Sequence, residues 1–328
     1  MARERLAAKS LLLSLFMLGV GCADAEPTFN DGTESEEVAS ASASSETESP
    51  KILAQSTGCC SDGDCVCRGE EPNARTPMGR GPYGFRSYSS GFARNLSWGG
   101  GTIYYPTNAE PPFSGVVMCP GFTALKSSIA DWGPFFASHG IVLMVIDTTT
   151  VLDQVVQRAQ GLKDALKSLR AENNRLGSPL NGKMSPNRYG LSGWSMGGGG
   201  TWIASADMPE LKTAVTLAGH NLTAGGSLGS IGSRVPTLMM NGATDVTILG
   251  GLGQSESAYN TIPNGTPKLL YVMALDGHFS WGTPTTNGGN SGKYMLAWQK
   301  TFLEGDQRYR KFLKERGPLA TVWMSNIR

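Results

Sequence analysis

The stretch Arg188-Tyr189-Gly190-Leu191-Ser192-Gly193-Trp194-Ser195-Met196-Gly197-Gly198-Gly199-Gly200-Thr201 decides the fold. A short strand over 188–191 runs into a glycine-rich turn, and a helix follows near 201–206. Within the turn, Gly193-Trp194-Ser195-Met196-Gly197 fits G-x-S-x-G. That pattern carries chemical meaning only between a strand and a helix, which is where it stands here. Glycines flank the serine because the turn is sharp and a side chain would strike the neighbouring strand and helix. The turn lifts the Ser195 hydroxyl above the sheet, over a helix N-terminus. The plain alternative is a glycine-rich turn without chemistry.

Outward from this turn, short apolar runs alternate with helical spacing. Strands are expected over 101–105, 115–119, 141–146, 214–217, 236–240 and 269–273. Leu152, Val155, Val156, Ala159, Leu162, Leu166 and Leu169 repeat at helical intervals. A last helix is expected over 293–314. Strands of buried type alternating with helices imply a mostly parallel sheet covered on both faces, the α/β class. In a sheet of this type carrying G-x-S-x-G, the α/β-hydrolase fold is the expectation.

A serine hydroxyl is a weak nucleophile and needs a base that an acid orients. In this fold the chain order is Ser, Asp or Glu, His. The chain has three histidines. His139 precedes the serine and reads as the C-terminal residue of a helix. His220 would have to take its acid from Asp207 or Glu210. His278 follows a strand and has Asp245 ahead of it, at the end of another strand, where such sheets gather their functional groups. Asp276 is the rival acid, but two residues from the histidine it points elsewhere. The expected triad is Ser195, Asp245 and His278. Donors for a developing oxyanion are expected at the N–H of Met196 and, in the loop Pro120-Gly121-Phe122-Thr123, of Phe122.

The first 22 residues read as an export signal, with Arg3, Arg5 and Lys9 ahead of an apolar run. Cys22 follows small residues in the manner of a bacterial lipoprotein signal and is the candidate lipidation site; simple cleavage near Cys22 or Ala25 is the alternative. Over 33–49, thirteen of seventeen residues are Ser, Thr or Glu with no Lys or Arg, so 23–57 is expected to be a solvated tether. Cys59, Cys60, Cys65 and Cys67 crowd the segment 58–71. In an exported chain they imply two local disulfides of open pairing rather than a metal site. Cys119 reads as a free buried thiol. The catalytic domain is expected over 72–328.

Composition removes other classes. A net charge of +1 lacks the basic excess that nucleic-acid binding needs. An apolar fraction of 40% exceeds that of a disordered chain. The apolar run at 11–21 is shorter than a membrane span of about 20 residues. Glycine, 43 of 328 residues, is nearly twice its usual share of about 7%.

Gly-Phe-Thr-Ala at 121–124, Ser-His-Gly at 138–140, Gly-Trp-Ser-Met-Gly-Gly-Gly-Gly at 193–200, Val-Pro-Thr-Leu at 235–238 and the spacing to Asp245 and His278 together resemble bacterial cutinases and PET-hydrolase-like polyester hydrolases. The resemblance implies a secreted α/β-hydrolase with no lid domain and no cofactor. It would be monomeric and would act on cutin, aliphatic or aromatic polyesters and short acyl esters. It implies that Phe122, Trp194, Met196, His220 and Thr247 line the substrate cleft. His220 stands where many members carry a mobile tryptophan, Val246-Thr247-Ile248 replaces an Ala-Pro-Val stretch, and the family's C-terminal disulfide has no cysteines here. The alternatives are a small-molecule esterase, lipase or dienelactone-hydrolase-like enzyme without polymer activity, and a surface lipoprotein that uses the cleft for adhesion.

Overall fold

A computed structural model describes residues 59–60, 65–223, 226–227, 232–246 and 251–328. Cys22, the tether 23–57 and Thr247 lie outside the described residues. In chain order the elements are β1 (Phe85–Tyr88), β2 (Gly100–Pro106), β3 (Phe113–Cys119), α1 (Trp132–Ser138), β4 (Ile141–Asp147), α2 (Val155–Ala171), β5 (Met184–Trp194), α3 (Met196–Asp207), β6 (Thr213–Leu217), β7 (Leu222–Thr223), β8 (Gly226–Ser227), β9 (Thr237–Gly242), α4 (Gly251–Thr261), β10 (Lys268–Met273), α5 (Asn290–Trp298), α6 (Lys311–Lys314) and β11 (Ala320–Ser325). No helix among the described residues is long and apolar enough to cross a membrane.

Nine strands form one sheet in the order β1-β2-β4-β3-β5-β6-β9-β10-β11. The central strands β4, β3, β5, β6, β9 and β10 pair in parallel, and β1, β2 and β11 are antiparallel at the edges. Both faces of the parallel strands are covered, so their sequences are mostly apolar on both faces rather than alternating with polar residues, and the polar side chains they do carry, such as Ser114, Thr213 and Asn241, are buried. Along β3, Val116 and Met118 pack into the cluster with Phe135, Phe136 and Trp298, while Val117 and Cys119 face Leu162, Leu166 and Leu191. The α/β-hydrolase architecture expected from the sequence is the one observed.

Several boundaries differ from the sequence expectation. The strand leading to Ser195 is longer, running from Met184, and α3 starts at Met196 rather than near 201. The expected helix 293–314 is broken. After α5 comes a π turn at Gln299–Leu303, then Gly305 at φ 74°, a short 3₁₀ turn at Gln307–Tyr309, and α6. Gly305 takes the left-handed conformation that ends helices. The Asp306 carboxylate then accepts the Arg308 N–H and starts the next turn. Leu152, three residues ahead of α2, and Val156 on it, both expected inside, are 59% and 52% exposed.

The Cys-rich segment closes on this break. The disulfides are Cys59–Cys67 and Cys60–Cys65, one loop nested in the other, so all four thiols in the cluster are spent on covalent pairs. Val66 N–H donates to Glu304 O, Gln307 N–H donates to Cys59 O, and Cys60 pairs with Asp306. Arg68 reaches the buried Glu304 carboxylate at 2.6 Å. Cys119 is free and buried, and burial pushes its thiol up to about 11.

Candidate active site

β5 ends at Trp194 and α3 begins at Met196, so Ser195 alone makes the turn between them. It does so at φ 58° and ψ −122°, a sparsely populated conformation for a residue with a side chain. The flanking glycines follow from distance. A Cβ on Gly193 would lie 2.2 Å from the Gly197 carbonyl, and one on Gly197 would lie 2.2 Å from Cys119 O. The strained turn is thus held by close backbone approach on both sides, with Ser195 N–H donating to Leu217 O at 2.9 Å.

Asp245 follows β9 and His278 follows β10, both at strand C-terminal ends, where their side chains converge on Ser195. Ser195 Oγ lies 2.8 Å from His278 Nε2, and His278 Nδ1 lies 2.8 Å from Asp245 Oδ2. The Asp245 and His278 side chains are both buried. The carboxylate assigns the proton to Nδ1, which leaves Nε2 free to accept the serine proton. Three hydrogen bonds stitch the histidine loop in place. Trp194 Nε1 donates to His278 O at 2.8 Å, and the Thr244 N–H and hydroxyl, one residue before the acid, both donate to Asp276 O. The Asp276 carboxyl itself turns to Asn287 and Ser280, and burial raises it above its usual range.

Met196 N–H is the first of α3 and has no intrahelical acceptor. Neither it nor Phe122 N–H is bonded to another of the described residues. Two N–H groups without a partner among the described residues thus stand at the start of α3 and in the loop after β3, where a Cβ on Gly121 would lie 2.9 Å from Ser195 Cβ. A cavity of about 520 Å³ at the acid and the histidine is lined by Thr244, Asp245, Val246, Gly277, His278, Phe279 and Ser280. Phe279, largely exposed, packs edge-on against Trp194 and His278.

A strand–serine–helix elbow with an Asp-supported histidine is the arrangement of a nucleophilic hydrolase, and the sequence is matched to one such family over most of its length. The family described as PET hydrolase-like spans residues 62–326. The chain belongs to this family. It is 38% identical over 235 residues to a bis(hydroxyethyl) terephthalate hydrolase of Streptomyces coelicolor, covering 71% of this chain and 72% of that protein. It is 35% identical over 249 residues to cutinase 1 of Thermobifida cellulosilytica, covering 75% and 90%. A cutinase of Thermobifida fusca is equally similar, with 75% and 78% covered.

Within this family member, the other residues singled out from sequence fall as follows. Phe122 is half-buried, and Trp194 and Met196 are buried beside the triad. His220, expected at the rim of the cleft, is 0% exposed, with its ring 6.5 Å from that of His278. Burial, then the nearby His278, pushes His220 down to about 4. His139 caps the C-terminal end of α1 and is likewise pushed down to about 4 by burial. A second cavity, about 670 Å³, lies under the Cys-rich segment at the other end of the strands, lined by Arg68, Tyr83, His139, Lys300 and Tyr309 among others. Its buried Arg68 and Lys300 side chains are paired with Glu304 and with backbone carbonyls, and His139 with Gly79 O. Sequence reasoning missed Arg158 and Thr244. The signal for Arg158 was a charged residue on the apolar stripe of α2, between Val155 and Leu162.

Proposed function

We propose that this chain is an exported serine ester hydrolase that cleaves polyesters and short acyl esters through an acyl-enzyme. Ser195 Oγ attacks the ester carbonyl carbon while its proton passes to His278 Nε2. Asp245 keeps the imidazole in the productive tautomer and stabilises its positive form. The oxyanion is received by the N–H groups of Phe122 and Met196. Collapse of the tetrahedral intermediate expels the alcohol, which takes the proton from His278. Water then repeats the sequence on the acyl-enzyme and releases the acid.

The observation that carries this reading is the pair of 2.8 Å contacts linking Ser195, His278 and Asp245. The substrate class is supported by relatives named as a bis(hydroxyethyl) terephthalate hydrolase and as cutinases. Phe122, Trp194, Met196, His220 and Thr247 are proposed to shape the substrate cleft, Trp194 by holding the His278 loop and His220 from a buried position behind it. The leader, the acidic tether 23–57 and Cys22 support export to the outer surface of a bacterium with a lipid anchor. The enzyme is proposed to act as a monomer without a cofactor.

Release of p-nitrophenol from a short acyl ester, compared with release of acid from cutin or polyester film, tests the reading. Ser195→Ala is expected to abolish both. Wild-type turnover in that variant overturns the assignment, and turnover of the short ester with no product from film removes the polymer class.

A further inference from the structure

Arg158 lies on the buried stripe of α2 and is 1% exposed. Burying a guanidinium without an opposite charge is costly, because its hydration must be replaced in full. Among the described residues no carboxylate replaces it. Three backbone carbonyls do: Nη1 donates to Pro120 O at 2.9 Å, Nη2 to Val151 O at 3.1 Å and Nε to Asp153 O at 2.9 Å.

These carbonyls belong to the loop after β3 and to the turn that supports it. Holding Pro120 O fixes the Pro120–Gly121 peptide directly. The Val151 carbonyl that Arg158 holds also accepts the Thr123 N–H at 2.9 Å, which fixes the Phe122–Thr123 peptide. Between them lies the Gly121–Phe122 peptide, whose carbonyl accepts from Ala124 N–H at 3.2 Å. A trans peptide points its N–H opposite to its C=O, so the Phe122 N–H faces away from the loop. Thr123, held at φ 60°, marks the conformation that this bracing sustains.

We infer that Arg158 is a positioning residue for ester hydrolysis: it clamps the loop 120–123 so that the Phe122 N–H is aimed at the oxyanion formed on attack by Ser195. The inference rests on the function proposed above. The guanidinium also sets a positive charge, with no paired carboxylate among the described residues, behind the peptide that receives the oxyanion. That charge favours the transition state, in which negative charge develops, over the neutral ester.

The test uses Arg158→Lys and Arg158→Met in the full chain, with active sites titrated by a p-nitrophenyl phosphonate that reacts with Ser195. Turnover per titrated site on a short p-nitrophenyl ester is expected to fall between about 10-fold and 100-fold, as for a misaimed donor, with KM within about twofold. The second-order rate of phosphonylation falls in parallel, because its transition state places negative charge on the same N–H groups. Arg158→Lys, which keeps the charge and reaches one carbonyl, falls less than Arg158→Met. If Arg158→Met does not fold, Arg158→Lys reads the same quantity. Folded variants with turnover per site within about twofold of wild type and only a lower melting temperature overturn the inference and leave Arg158 as a tie between α2 and β3. Ser195→Ala run alongside separates the two failures, since turnover in that variant defeats the proposed function rather than the clamp.

Discussion

Two polar clusters are buried at opposite ends of the parallel strands, and they are built on different principles. At the N-terminal end of β3, the Glu304 carboxylate, 0% exposed, accepts from Arg68, Lys300 and Ser114. Burial raises the carboxyl, but the two cations outweigh it and hold it below the usual carboxylate range. Every charge there has a partner, and the nested disulfides cover it. At the C-terminal ends, the strained Ser195, two unsatisfied N–H groups and an arginine with no carboxylate partner among the described residues surround the triad. A cluster whose needs are met internally stabilises the chain and has nothing left to offer a ligand. A cluster left with strain and open donors is poised to receive a charge that appears only during reaction.

The sharpest way to break this contrast is at the reacting end. Asp245→Asn leaves the His278 ring in the wrong tautomer, and turnover per titrated site is expected to drop by about 10⁴-fold with the melting temperature nearly unchanged. A large loss of stability would mean that the acid belongs to the scaffold. At the other end the signs reverse. Glu304→Gln leaves Lys300 and Arg68 buried without a counter-charge, and denaturant titration is expected to show a loss of about 3–5 kcal/mol while turnover per folded molecule is retained. The Cys59→Ser/Cys67→Ser pair, which opens a loop with a sequence separation of 8, is expected to cost about 2–3 kcal/mol, again without a change in turnover. A fall in turnover in either variant would show that the two ends are coupled.

The smallest effect concerns pH. His139 and His220, both pushed down to about 4 in the folded chain, take up protons in the unfolded chain at their ordinary value of 6.5. Between these values the unfolded state binds more protons. Stability is therefore full above pH 6.5 and is lost as pH falls towards 4, by at most about 1.4 kcal/mol per pH unit for each histidine. His139→Gln is expected to flatten the slope of melting temperature against pH over that window, and an unchanged slope would remove His139 as a contributor.

Much of the molecule was legible because its signals are local. The apolar runs of β3, β4, β6, β9 and β10 could be read directly, since strands covered on both faces carry few polar residues to confuse the pattern. Ser195 was legible through its glycines, and the three histidines made the choice of base a short elimination. The edges were harder. β1 and β11 are short and half-exposed, so their burial pattern is weak. The break at Gly305 was hidden because the residues on both sides have helical spacing. Arg158 looked like one more charged residue on a helix, since its partners are backbone carbonyls and backbone atoms leave no mark in composition.

The sequence by itself determined the α/β sheet, the elbow, the order serine–acid–histidine and the presence of a disulfide-braced segment. Each depends on residues close in the chain or on a strict order of strand ends. The tertiary structure alone decided which cysteines pair, where the Cys-rich segment docks, that His220 is buried, and that an arginine on α2 braces the loop after β3. Those outcomes depend on contacts between residues distant in the chain, and they were settled by which buried polar groups could find partners once the apolar faces of the sheet had closed.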